Sequence, residues 1–124
     1  MTVTGIICEY NPFHNGHAYH IKETRHICNS DYIIGVMSGD YVQRGEAAVT
    51  DKYTRTRMAL ISGCDIILEL PVRYATSSAE GFAYAAVNTL ISTCITDNFC
   101  FGTEYGSLKK LQPVTDILYN EPKV

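Results

Sequence analysis

Short apolar runs alternate along this chain with longer segments of helical period. Val3–Tyr10 is apolar over most of its length and too short for a helix, so it predicts a strand. Asp31–Ser38 and Asp65–Leu70 have the same character, Pro71 closes the latter, and Asp97–Phe101 predicts a fourth strand. Gly16–Asn29 predicts the first helix. Asp51 is placed to cap a second, which runs to Ser62 and is stopped by Gly63. Ser77 or Ser78 caps an alanine-rich helix reaching about Thr93, and Ser107–Tyr119 predicts a last one. Strand-length runs with little polar alternation, separated by helices, are buried on both faces. The expected fold class is therefore α/β, a doubly wound parallel sheet, with residues 1–124 as a single domain. Four strands are few for such a sheet. The chain ends at Asn120-Glu121-Pro122-Lys123-Val124 without another, so the fold is expected to be incomplete at its C-terminus.

Composition narrows the function classes. Hydrophobic residues make up 46% of 124 positions, enough for an ordinary core. A net charge of −3 lacks the footprint of a nucleic-acid binder. No apolar run approaches the ~18 residues of a membrane span, and the N-terminus lacks signal-peptide regions, so no membrane partner and a cytoplasmic location are expected. Cys8, Cys28, Cys64, Cys94 and Cys100 form no CxxC pair and read as reduced thiols rather than a disulfide or zinc framework.

The chemistry concentrates in His14-Asn15-Gly16-His17, at the turn from the first strand into the first helix. Gly16 lets an anion approach the backbone, and a helix start offers N–H groups and a positive dipole end. Histidines three apart project to one side, where both ring N–H groups reach a single triphosphate. In a sheet of order 3-2-1-4 the crevice lies between strands 1 and 4, which sets Gly102 opposite the histidines, where a side chain would obstruct a nucleotide. Glu9, at the end of the first strand, is a candidate ligand for magnesium or ribose; Glu69 is a weaker one. His20 extends the histidine row, but nothing obvious completes a zinc set, and no dedicated protein metal site is expected. Gln43 and Arg44 suit a carboxylate or phosphate as well as a solvated loop. Lys52, Arg55 and Arg57, at helical spacing, read first as a solvated helix face and second as a phosphate or RNA contact. No GxGxxG or GxxxxGK is present, which removes the dinucleotide and P-loop readings.

His14-Asn15-Gly16-His17 resembles the HxGH signature of the nucleotidyltransferase superfamily, which implies a Rossmann-like fold and attack on the α-phosphate of a nucleotide. The longer run Gly5–His17 is more specific. With Val36–Gly39, Val42–Glu46, Ile67–Pro71 and Phe101–Glu104, it closely resembles the tRNA(Met) cytidine acetate ligase family from Thr4 to about Gly106. The resemblance implies that ATP activates acetate as acetyl-adenylate, with release of pyrophosphate, before N4 of the wobble cytidine of elongator tRNA(Met) is acetylated. It makes ATP, with Mg2+, the cosubstrate, and acetate and elongator tRNA(Met) the partners, and it implies catalytic roles for His14 and His17. Nucleotide contacts carry over onto Ile7, Cys8, Glu9, Tyr10, Asn11, Pro12, Phe13, His14, Asn15, Gly16, His17, Ala18, Tyr19, His20 and Gly102. Cys8 departs from the aliphatic residue common there, which need not affect a backbone contact. Family members are much longer, so the tRNA-binding portion is expected outside this chain. The alternatives are a small-molecule adenylyl- or cytidylyltransferase, in which a phosphate attacks, and a noncatalytic nucleotide-binding fragment.

Overall fold

A computed structural model describes residues 1–104 and 106–121. Strands β1 (Val3–Cys8), β2 (Tyr32–Ser38), β3 (Ile66–Leu70) and β4 (Asn98–Phe99) form one parallel sheet in the order β3-β2-β1-β4. Helices α1 (Asn15–Ile27), α2 (Lys52–Ile61), α3 (Val72–Ala75), α4 (Ala79–Ser92) and α5 (Leu108–Tyr119) complete the chain. Asp51 and Ser78 cap α2 and α4 as the sequence predicts. Asn29 (φ 48°) ends α1, in the left-handed conformation that asparagine tolerates better than most residues.

The sheet is covered on both faces. On one, Val3, Ile34, Val36 and Leu70 pack with Ala75 of α3 and with Ala85, Ala86 and Leu90 of α4. On the other, Ile6, Ile33 and Met37 pack with Ile21 of α1 and Ala59 of α2. Gly5 sets the approach of α4, because a Cβ there would stand 2.6 Å from Leu90 Cδ1.

Some expectations are corrected. The fourth strand shrinks to Asn98–Phe99: it is an exposed edge that pairs only with Thr4 and Gly5 of β1. The single turn α3, missed in the sequence, begins directly after Pro71 and contributes the buried Ala75. Helix α5 forms where expected but buries no residue. Tyr105 and the terminal Pro122, Lys123 and Val124, read above as part of the family match and of a strandless tail, lie outside the described residues. Among the described residues no helix is long and apolar enough to cross a membrane.

The largest correction concerns Arg55, which is not on a solvated face. Its side chain is fully buried at the carboxyl edge of the sheet. The guanidinium donates to Thr50 O (3.1 Å), Glu9 O (2.7 Å), Ser38 O (3.1 Å) and Gly39 O. Those carbonyls belong to the chain leaving β1, the end of β2 and the start of the loop after it, and the approach to α2, so one side chain ties three segments together. At the amino edge Arg25 does similar work, donating to Ser30 O, Asp31 O, Gly63 O and the Asp65 carboxylate. Arg57 is exposed, as expected, and Lys52 pairs with Glu69 (2.8 Å) and Asp40 (3.8 Å).

Replacing Arg55 by Met leaves buried carbonyls without donors, each worth roughly 1–3 kcal/mol when stranded. Arg55→Met is expected to cost at least about 3 kcal/mol in urea unfolding, whereas Arg57→Met should stay within about 0.5 kcal/mol. A loss below 1 kcal/mol at Arg55 would show that the loops hold their places without it.

Candidate active site

The site is built at the start of α1 by two imidazoles acting as caps. His14 is the N-cap, in extended conformation, and its Nδ1 accepts the Gly16 amide at 3.1 Å. In return, His17 Nδ1 accepts the His14 amide at 3.2 Å. The two rings stack with centroids 3.6 Å apart, tilted by 24°. This is a capping box whose usual hydroxyl and carboxylate are replaced by histidines. Each Nδ1 must carry a lone pair to do this, which assigns the proton of the neutral ring to Nε2. The pair therefore presents two Nε2–H donors without net charge. Burial, followed by the proximity of His14 and His20, lowers the pKa of His17 below its ordinary value, and burial does the same for His20.

Gly16 has a structural role that was not read in the sequence. A Cβ there would lie 2.9 Å from His14 Cε1, so the glycine makes room for the capping ring. Its amide is engaged by His14, and those of His17 and Ala18 bond to His14 O, so none of the three cradles a phosphate oxygen. Both rings keep a donor free for an anion.

Beneath the histidines, Tyr10 packs against Phe13 (4.8 Å between centroids) and His17 (4.9 Å), with its own backbone left-handed at φ 51°. The Tyr10 hydroxyl is buried near the Cys8 and Cys64 thiols. Burial pushes Cys64 up to about 11 and raises Cys8 and Tyr10 as well, so neither thiol is a ready nucleophile. Two side chains tie this wall to the loop after β2. Glu9 Oε1 accepts the Gln43 amide at 2.7 Å, and Asn11 Oδ1 accepts the Val49 amide at 2.7 Å. Glu9 thus braces that loop with one carboxylate oxygen while it lines the groove.

Between the two walls lies a groove of about 440 Å³, lined by Glu9, Tyr10, Asn11, Pro12, His14 and His17 on one side and by Val42, Gln43, Arg44 and Glu46 on the other. The structure therefore brings Gln43 and Arg44 to the histidines. It does not bring the rest of the expected contact set there. Ile7 packs against the core on the α4 face, Cys8 and Phe13 pack on the α1 face, and Asn15 and Tyr19 are exposed. Ala18 lines a separate hollow with Ile21, Lys22 and Arg25, and His20 is half-buried with its Nε2 unpartnered. Gly102 follows β4, on the opposite side of β1 from the groove, and a Cβ there would meet open space. Among the described residues no cluster of three metal-ligating side chains occurs.

The family model for HIGH nucleotidyl transferases matches residues 1–124. The chain is 55% identical over 122 residues to the tRNA(Met) cytidine acetate ligase of Thermoanaerobacter pseudethanolicus, covering 98% of this chain and 30% of that protein. It is 53% identical over 123 residues to the Clostridium kluyveri protein of the same name, covering 99% of this chain and 30% of the relative. A crystal structure of Thermotoga maritima TmcAL bound with alpha-thio ATP superimposes with a TM-score of 0.92 at 49% identity, over 98% of this chain and 30% of that one. The chain thus spans about 30% of the length of the proteins it matches.

The capping geometry carries a pH dependence. Folded His17 and His20 hold a proton less tightly than the unfolded chain, whose value is near 6.5. Below that pH the unfolded state binds more protons, so stability falls with pH. Stability is expected to be full above pH 6.5 and to decline from there through the lowered folded values, read as Tm between pH 8 and 5. An unchanged or higher Tm at pH 5 would mean that neither ring needs to stay neutral.

Proposed function

Because the chain belongs to the HIGH nucleotidyl transferase family, we propose that it forms the ATP-binding, acid-activating domain of a tRNA(Met) cytidine acetate ligase. The observation that carries this reading is the histidine pair, with two neutral Nε2–H donors fixed by the fold at the mouth of one groove. On this reading a carboxylate oxygen of acetate attacks the α-phosphorus of ATP. A phosphorus–oxygen bond to acetate forms, the bond to the β-phosphate bridge breaks, and pyrophosphate leaves with the electron pair. The product is acetyl-adenylate, whose carbonyl carbon is then attacked by N4 of the wobble cytidine of elongator tRNA(Met), expelling AMP.

His14 and His17 serve the first step. Negative charge builds on the oxygens around the α-phosphorus as it becomes five-coordinate, and donors already held in place stabilise it without reorganising. Stacking and capping hold both rings, so little conformational freedom is lost when ATP arrives. Gly102, beyond β4, leaves open space for the nucleoside across the switch point between β1 and β4. Mg2+ is assigned to the ATP salt, with no step routed through a protein-held ion, since no ligand cluster of that kind occurs among the described residues. A net charge of −3 supplies no attraction for RNA, so on this reading tRNA is held mainly by parts of the relatives that this chain does not span.

The test is pyrophosphate release from ATP with acetate, together with detection of acetyl-adenylate by mass. His14→Asn is an informative variant, because asparagine is a good N-cap but carries no ring donor. It is expected to keep its Tm while losing about 10²–10³ in rate, and His17→Ala should lose a similar factor. Release that needs a phosphorylated acceptor instead of acetate would point to small-molecule nucleotidylyl transfer. ATP binding without any turnover would indicate a noncatalytic module.

A further inference from the structure

The capping box creates an electrostatic shortfall. His14 and His17 can cap only while neutral, so they offer an anion hydrogen bonds but no positive charge. Two carboxylates, Glu9 and Glu46, also line the groove. A nucleoside triphosphate carries several negative charges and needs a cation there. Most nearby cations are spent: Arg55 on carbonyls, Lys52 on Glu69 and Asp40, and Arg25 at the other edge of the sheet. Arg44 is the exception. It lines the groove, is exposed, and makes no ion pair or hydrogen bond among the described residues. Without it the groove would hold two carboxylates and two neutral rings, and would repel a polyphosphate.

Its backbone is also built to stay in place. Arg44 sits at the tip of a tight hairpin closed by the Tyr41–Ala47 bridge, by Val42 N to Glu46 O (3.0 Å) and by Gly45 N to Val42 O (2.8 Å). Gly45 turns the chain at φ 77°, where other residues are strained, and the buried Val42 roots the hairpin. Glu9 and Asn11, on the histidine wall, grip the Gln43 and Val49 amides on either side of the tip. A solvated loop has no need of these ties.

We propose that Arg44 is the cationic anchor for the outer phosphates of ATP in this groove, positioned there by Glu9 and Asn11. The assignment rests on the functional reading above. A planar guanidinium meets two phosphate oxygens at once, the geometry for which arginine is suited and lysine is not. The histidines then face the α-phosphate while Arg44 holds the departing pyrophosphate from the opposite wall.

Titration calorimetry of the purified protein with ATP, ADP and AMP tests this, comparing the unaltered chain with Arg44→Gln, Arg44→Lys and Arg57→Gln. Arg44→Gln is expected to weaken ATP binding by at least about tenfold, ADP by less, and AMP by under about twofold. Arg44→Lys should recover part of the loss. Arg57→Gln, which removes the same charge from an exposed face, should change none of the three. An equal loss for all three nucleotides would mean that the variant disturbs the groove in general and would overturn the assignment. Unchanged ATP affinity with a raised KM for acetate would overturn it in favour of a carboxylate anchor. If the unaltered protein binds no ATP, the functional reading itself fails, and this assignment with it.

Discussion

The active edge of this domain depends on a buried guanidinium. A parallel sheet leaves unpaired carbonyls where its strands end, and the loops that follow must satisfy them or expose them to water. Arg55 satisfies carbonyls at Glu9, Ser38 and Gly39 together with Thr50 before its own helix. Burying a charge is expensive, and breaking such a cluster by removing one partner is more so. The arrangement persists because five donors in a rigid fork meet several fixed carbonyl oxygens. The strand ends, the loop after β2 and the start of α2 are thereby set relative to each other before any ligand binds.

At the start of α1 the rings that cap the helix are the ones proposed to meet the nucleotide. An aspartate would cap this helix as well, but it would present no outward donor. An imidazole has two nitrogens, one of which can close the helix while the other faces the groove. Reciprocal capping forces the same tautomer on both rings, and stacking at 3.6 Å fixes their planes. The cost is that the rings must remain neutral. In the proposed arrangement the positive charge for an anionic ligand comes from the hairpin braced by Glu9 and Asn11.

Much of this was legible along the chain. Apolar runs of strand length, the caps Asp51 and Ser78, and the stop at Gly63 are local signals, and each element they marked is present. The pairing order followed from the rules for parallel sheets, and the histidine turn was visible from its spacing. The short α3 was hidden because four residues carry no period. The fourth strand was overdrawn: its residues lie at an exposed edge, and only Asn98 and Phe99 pair in register, with Thr4 and Gly5.

What the sequence determined by itself was the alternation of elements, the turn on which the histidines stand and the family to which the turn belongs. All of these are written in short-range pattern. Only the tertiary structure decided that Arg55 is buried rather than solvated, that Glu9 braces a loop, that Gly16 admits a ring, and that Arg44 faces the histidines. These outcomes depend on which partners lie within hydrogen-bond reach once distant segments are brought together. Helical spacing cannot tell a charged residue facing water from one facing a ring of carbonyls, because both faces exist on every helix and only packing selects between them.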